Sequence, residues 1–110
     1  MATGTIKHAP KWQGTVLDPS ASTVSNVIAT AEDMIIRVYI ADVNFDITQA
    51  VPPVMLRNMS GTHILIMSGY YWDQGATLCV RLNVSSTAIS INRCSVNGAD
   101  KTAQFQIFFK

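Results

Sequence analysis

A chain of 110 residues, 48% hydrophobic and 14% charged, has the length of one domain and enough apolar surface to fold it, which excludes intrinsic disorder. The formal net charge of +1 supplies neither the basic surface of a general nucleic-acid binder nor an acidic tail. No stretch approaches the roughly 20 apolar residues of a membrane span, and Met1-Ala2-Thr3-Gly4-Thr5 has no basic start followed by an apolar core. The expectation is therefore a chain that begins at Met1, with no signal peptide and no membrane partner.

Val and Ile total 21 and Thr adds ten, against five Leu. Branching at Cβ stiffens χ1 and crowds a helical turn, so this composition favours pleated strands. Turn signals recur every eight to twelve residues or so, as in an all-β sandwich or barrel. They are Asp18-Pro19, Pro52-Pro53, Ser60-Gly61, Gln74-Gly75 and Asn97-Gly98. The expected fold is a single all-β domain over residues 1–110, an antiparallel, jelly-roll-like sandwich or a barrel.

In chain order the first strands are expected at Thr5–His8 and Gln13–Leu17. Asp18 to Glu32 reads two ways. Val24, Val27, Ile28 and Ala31 recur at helical spacing, with Asp18 as an N-cap and Pro19 as the first helical residue. The stretch is also rich in Ser and Thr, which are poor in helix interiors, and this favours a strand over Thr23–Ala29. Met34–Ala41 alternates, with Met34, Ile36, Val38 and Ile40 on one face and Ile35, Arg37, Tyr39 and Ala41 on the other. Further strands are expected at Asn44–Thr48, Val54–Arg57 and Thr62–Ser68.

The clearest hairpin joins Thr77–Val84 to Thr87–Arg93 through Ser85-Ser86. That turn sets Leu82 opposite Ile89 and Val80 opposite Ile91, with every apolar residue on one face. The last strand, Thr102–Phe109, points Phe105, Ile107 and Phe109 one way and Gln104, Gln106 and Phe108 the other. Ile35, Tyr39 and Phe108 make the polar faces of their strands partly apolar, which marks them as candidate oligomer-interface residues. A homo-oligomer, with a trimer favoured, is the expected state.

The chemistry-bearing residues are sparse. In the expected register Cys94 lies diagonally beyond the partner of Cys79, about 7–8 Å away, so both are expected as free thiols. His8 and His63 form no Cys–His signature, and there is no CxxC or HxxxH for zinc. Asp42, Asn44 and Asp46 form a spaced polar set that reads first as a solvated strand end. Glu32 and Asp33 are adjacent, so they cannot face each other across a cleft as a glycosidase pair does. No phosphate-binding glycine loop occurs. The expectation is a non-enzymatic protein with no catalytic residues, no metal and no cofactor.

Gly69-Tyr70-Tyr71-Trp72-Asp73-Gln74-Gly75 is the most informative stretch. Lying between two strands, it is expected as an exposed connection. Three successive aromatics cannot all enter one core, and alternation sets Tyr71 against Tyr70 and Trp72. Rings beside an acid and an amide suit sugar recognition: the ring covers the apolar face of a pyranose, and Asp73 and Gln74 bind its hydroxyls. Tyr70, Tyr71, Trp72, Asp73 and Gln74 are thus the candidate ligand residues, and the alternative is that these rings cap the end of the core. Without a basic stripe, the stacking of nucleic-acid bases is not expected. Trp12, behind Lys7, His8 and Lys11, is a second exposed aromatic candidate.

Several segments together carry a likeness. They are Met1-Ala2-Thr3-Gly4-Thr5-Ile6-Lys7, Val51-Pro52-Pro53-Val54-Met55-Leu56, Gly69-Tyr70-Tyr71, the Ser85-Ser86 hairpin, and Phe105-Gln106-Ile107-Phe108-Phe109-Lys110. In this texture the chain resembles short phage or prophage tail-fibre tip domains. The resemblance implies a receptor-binding tip of a virion, usually trimeric, that recognises cell-surface sugars; it carries over no site residue. The alternative is a structural virion or baseplate component whose aromatic and apolar faces are interfaces.

Overall fold

The computed structural model describes residues 13–110. The strand expected at Thr5–His8, Trp12 with its basic neighbours, and the N-terminal part of the family likeness lie outside these residues. Eight strands and two short helices follow one another: β1 (Gln13–Leu17), α1 (Ala21–Thr30), β2 (Met34–Ile40), β3 (Phe45–Ala50), α2 (Pro53–Arg57), β4 (His63–Tyr71), β5 (Ala76–Val84), β6 (Ile89–Val96), β7 (Ala99–Asp100) and β8 (Gln104–Phe109). They form two four-stranded antiparallel sheets, β1-β8-β2-β3 and β4-β5-β6-β7, in a sandwich-like all-β fold.

The core is the pair of inner faces. Met34, Ile36, Val38 and Ile40 of β2 face Leu78, Val80, Leu82 and Val84 of β5, and Ile107 of β8 is fully buried among them. The alternation expected for β2 and β8 is observed: Ile35, Arg37 and Tyr39 are half-buried on the outside, beside Phe108, Gln106 and Gln104.

Two segments expected as strands are helices. In α1 the buried residues are Val24, Val27 and Ile28, and Ala31 follows them one turn on. Burying that stripe outweighs the weak propensity of the hydroxyl residues, which face outward. The Thr30 hydroxyl satisfies itself within the helix by donating to the Asn26 carbonyl at 2.7 Å. The N-cap is Ser20, whose hydroxyl accepts the Thr23 amide at 3.2 Å, not Asp18. Asp18 instead adopts φ +48 and joins β8: its amide donates to the Phe105 carbonyl at 2.8 Å. The C-terminal carbonyls of α1 are satisfied from α2, because the Arg57 guanidinium donates to Ile28 O at 2.6 Å and to Ala31 O. Residues 53–57 are α2 rather than a strand. Pro53 opens it where a missing N–H costs nothing, Pro53 and Leu56 are buried, and Val54 and Met55 are exposed.

The β5–β6 hairpin differs from expectation in its turn. Ser85–Ala88 forms a four-residue loop closed by Ser85 N–H to Ala88 O at 2.9 Å, and the Ser85 hydroxyl accepts the amides of Thr87 and Ala88. The pairs are therefore Val84–Ile89 and Leu82–Ile91, two residues from the expected register, which preserves the faces. The register then shifts between Arg81 and Leu82. Arg81 pairs with Arg93, so Asn92 is the extra residue of a bulge. Beyond it Cys94 pairs with Val80 on the core face, while Cys79 pairs with Ser95 and lies on the other face. Both thiols are free.

Candidate functional site

β4 runs to Tyr71, three residues beyond its expected end, so Gly69, Tyr70 and Tyr71 belong to the strand and not to a loop. Only Trp72-Asp73-Gln74-Gly75 makes the turn into β5. The Gln74 amide donates to Tyr71 O at 3.0 Å, and Gly75 closes the turn at φ +61, where a side chain would be strained.

Alternation divides the three aromatics as the sequence leads one to expect. Tyr71 points inward and stacks on Phe45, with ring centroids 4.3 Å apart and planes within 9°. Its hydroxyl donates to the Asp46 carbonyl of β3. Tyr70 and Trp72 stay outside, 63% and 81% exposed, with Asp73 and Gln74 exposed next to them. Of the five candidates, the structure thus gathers Tyr70, Trp72, Asp73 and Gln74 on an open surface and gives Tyr71 a packing role.

The ground under this turn is braced from distant sequence. Tyr70 pairs with Thr77. The Thr77 amide donates to Asn97 Oδ1 at 2.8 Å, and the Asn97 amide donates back to Thr77 O at 2.9 Å. Asn97 and Gly98 both have positive φ, as a two-residue hairpin turn requires, and this is the Asn97-Gly98 turn expected from sequence. Phe45 and Asp46 of β3 hold the turn from the other sheet through Tyr71. Sequence reasoning found the turns but not these contacts, which depend on which strands meet.

Near this end of the sandwich, Asp42 and Asp46 are each held by a cation of the protein. Asp42 lies 2.8 Å from Lys101, which keeps its carboxyl below the ordinary value, and Asp46 accepts from Arg37 at 2.7 Å. Asn44 accepts the Tyr39 hydroxyl at 2.9 Å. The three residues thus serve separate contacts, and among the described residues no cluster suited to a metal occurs.

The candidate interface residues are less open than the turn. Ile35 pairs beside Phe108, and the Tyr39 ring lies 4.9 Å beneath the Arg37 guanidinium. All three are half-buried on the outer face of their sheet. The exposed large apolar side chains lie elsewhere, at Leu17, Val54, Met55, Ile64, Ile66, Tyr70 and Trp72.

Two shallow cavities flank the sandwich. One, of about 310 Å³, lies between the β6 bulge and the segment entering β8, lined by Asn92, Arg93, Cys94 and Lys101 among others. The second, of about 250 Å³, lies at the start of β2, between Asp33 and Lys110. Arg93 in the first is committed to Asp100 at 2.7 Å, and this pairing raises its already high pKa further. Among the described residues no helix is long and apolar enough to cross a membrane. No family model, no curated protein and no solved structure matches this chain.

Proposed function

We propose that the protein is a non-enzymatic binding module, in the manner of a phage tail-fibre tip, that takes a cell-surface carbohydrate on its β4–β5 turn. The supporting observation is the exposure of Trp72 and Tyr70 on a turn whose backbone is fixed from both sheets. An indole left in water forgoes the stabilisation that burial would give. A ring held ready against a sugar's apolar face recovers it on binding, without the entropy cost of ordering a loose loop. Asp73 and Gln74 supply a charged and a neutral acceptor for hydroxyls at the rim of that platform.

A glycan array is the direct test. Selective binding by the wild type, lost in Trp72→Ala with the fold retained, supports the module; no binding to any glycan refutes it. A second reading, a structural virion or baseplate component, draws support from Ile64 and Ile66, which lie exposed on a sheet edge away from the turn.

A further inference from the structure

The four sheet edges are not equally protected. A strand edge presents unpaired N–H and C=O groups, and proteins blunt it with bulges, charges or shortness. β1 carries an irregularity between Gln13 and Val16. β3 carries Asp46 and Arg37's bond to it, and its Asp46 carbonyl accepts the Tyr71 hydroxyl. β7 is two residues long and carries Asp100 paired to Arg93. β4 has none of these devices. It is nine residues long, pairs with β5 without a register shift, and contains no Asp, Glu, Lys, Arg or Pro. Among the described residues no strand pairs with its other side.

β3 meets β4 toward the turn, where Tyr71 stacks on Phe45 and a side chain at Gly69 would touch Ile47. The other half, His63 to Met67, is where Ile64 and Ile66 stand 49% and 59% exposed. We infer that this half-strand pairs with the same half-strand of a second copy of the chain, antiparallel and about a two-fold axis at Leu65.

That register is self-complementary. Ile64 faces Ile66 of the second copy and Leu65 faces its own equivalent. The outer face thereby acquires two aliphatic cross-strand pairs, and the inner-face Leu extends the core across the junction. No like charges meet, since this half of β4 has no Asp, Glu, Lys or Arg, His63 falls opposite Met67 of the second copy, and Arg81 lies one strand further in, beside Ile66. The two four-stranded sheets become one of eight strands. Both β4–β5 turns stay free at its opposite ends, so the association leaves the proposed sugar platforms open and doubles them. Five residues of strand pairing make a small interface, below about 1,200 Å² in total, and such contacts are reversible.

Sedimentation velocity on the full chain, from about 1 to 200 µM, tests this. The expected result is a shift from the 12.0 kDa monomer toward a dimer of twice that mass. Ile66→Lys, on an exposed side chain, should abolish the shift with an unchanged circular-dichroism spectrum; Ile64→Lys provides the same test should the first fail to fold. Leu17→Lys, an equally exposed apolar residue on the edge of the other sheet, should leave the dimer intact. A wild type monomeric over the whole range overturns the inference. So does a trimer, an association that survives both Ile variants, or a monomer whose His63–Met67 amides are all protected from hydrogen exchange, since the edge is then covered from within the chain. Glycan binding by monomeric Ile66→Lys separates the two proposals, because the platform needs no second copy.

Discussion

Tyr70, Tyr71 and Trp72 are consecutive and chemically alike, yet they should respond differently to truncation. Trp72→Ala removes an exposed ring, so the melting temperature should stay within about 2 °C of wild type while glycan binding is lost. Tyr71→Ala removes the stack on Phe45 and the bond to Asp46, at a cost of about 2 kcal/mol, which lowers the melting temperature by roughly 10 °C. Thermal melts beside array binding distinguish the two roles. Asp42 gives a pH-dependent counterpart. Lys101 stabilises its carboxylate, so its pKa in the folded state lies below the ordinary 3.8. Its contribution to stability is present above that value and is lost as pH falls through the lower folded pKa. An NMR titration should show the depressed pKa, and Lys101→Met should return it toward 3.8. The thiols differ too: burial pushes the Cys94 pKa up, while Cys79 lies on the outer face. Both should titrate in denaturant, and Cys79 should react first in the native protein.

Among the elements, β2, β5 and β8 are legible because period-two alternation has one solution when one face is buried. The β5–β6 register is legible only modulo two, since shifting by two residues leaves the same side chains inside. The Asn92 bulge leaves no mark in the sequence: within Ser90-Ile91-Asn92-Arg93 nothing announces that two residues will oppose one. α2 is missed because five residues are too few to show a helical period. α1 is missed because local propensity points one way and tertiary burial the other, and burial prevails. What secures α1 is Arg57, which is 29 residues from Ile28 and invisible to any local rule. Arg57→Met keeps the apolar stem and removes both bonds to α1 carbonyls, so it should cost about 2 kcal/mol and be visible in chemical denaturation. At the site, alternation revealed which aromatics face out; the braces from Asn97 and β3 were hidden because they require the sheets to be assembled.

At the scale of the molecule the sandwich has two unlike ends: α2 and the C-terminus of α1, tied by Arg57, at one, and the braced turns around Tyr71, Asp42 and Asn97 at the other. Its core is continuous between them, so Ile36→Ala, at a fully buried position on central β2, should cost about 3–4 kcal/mol and loosen both ends together in hydrogen exchange. The edge position of β1 has a mechanical consequence. Gln13 pairs with Phe109 and Leu17 with Gln106, so the backbone enters β1 and leaves β8 at the same corner. Tension applied between residues 13 and 110 pulls across the strands and not along them. The β1–β8 ladder then parts one bond at a time, like a zipper, instead of shearing as a block. Pulled from these two points the domain yields at low force, whereas a load entering through the β4–β5 turn and leaving at residue 13 crosses both sheets and meets the whole core.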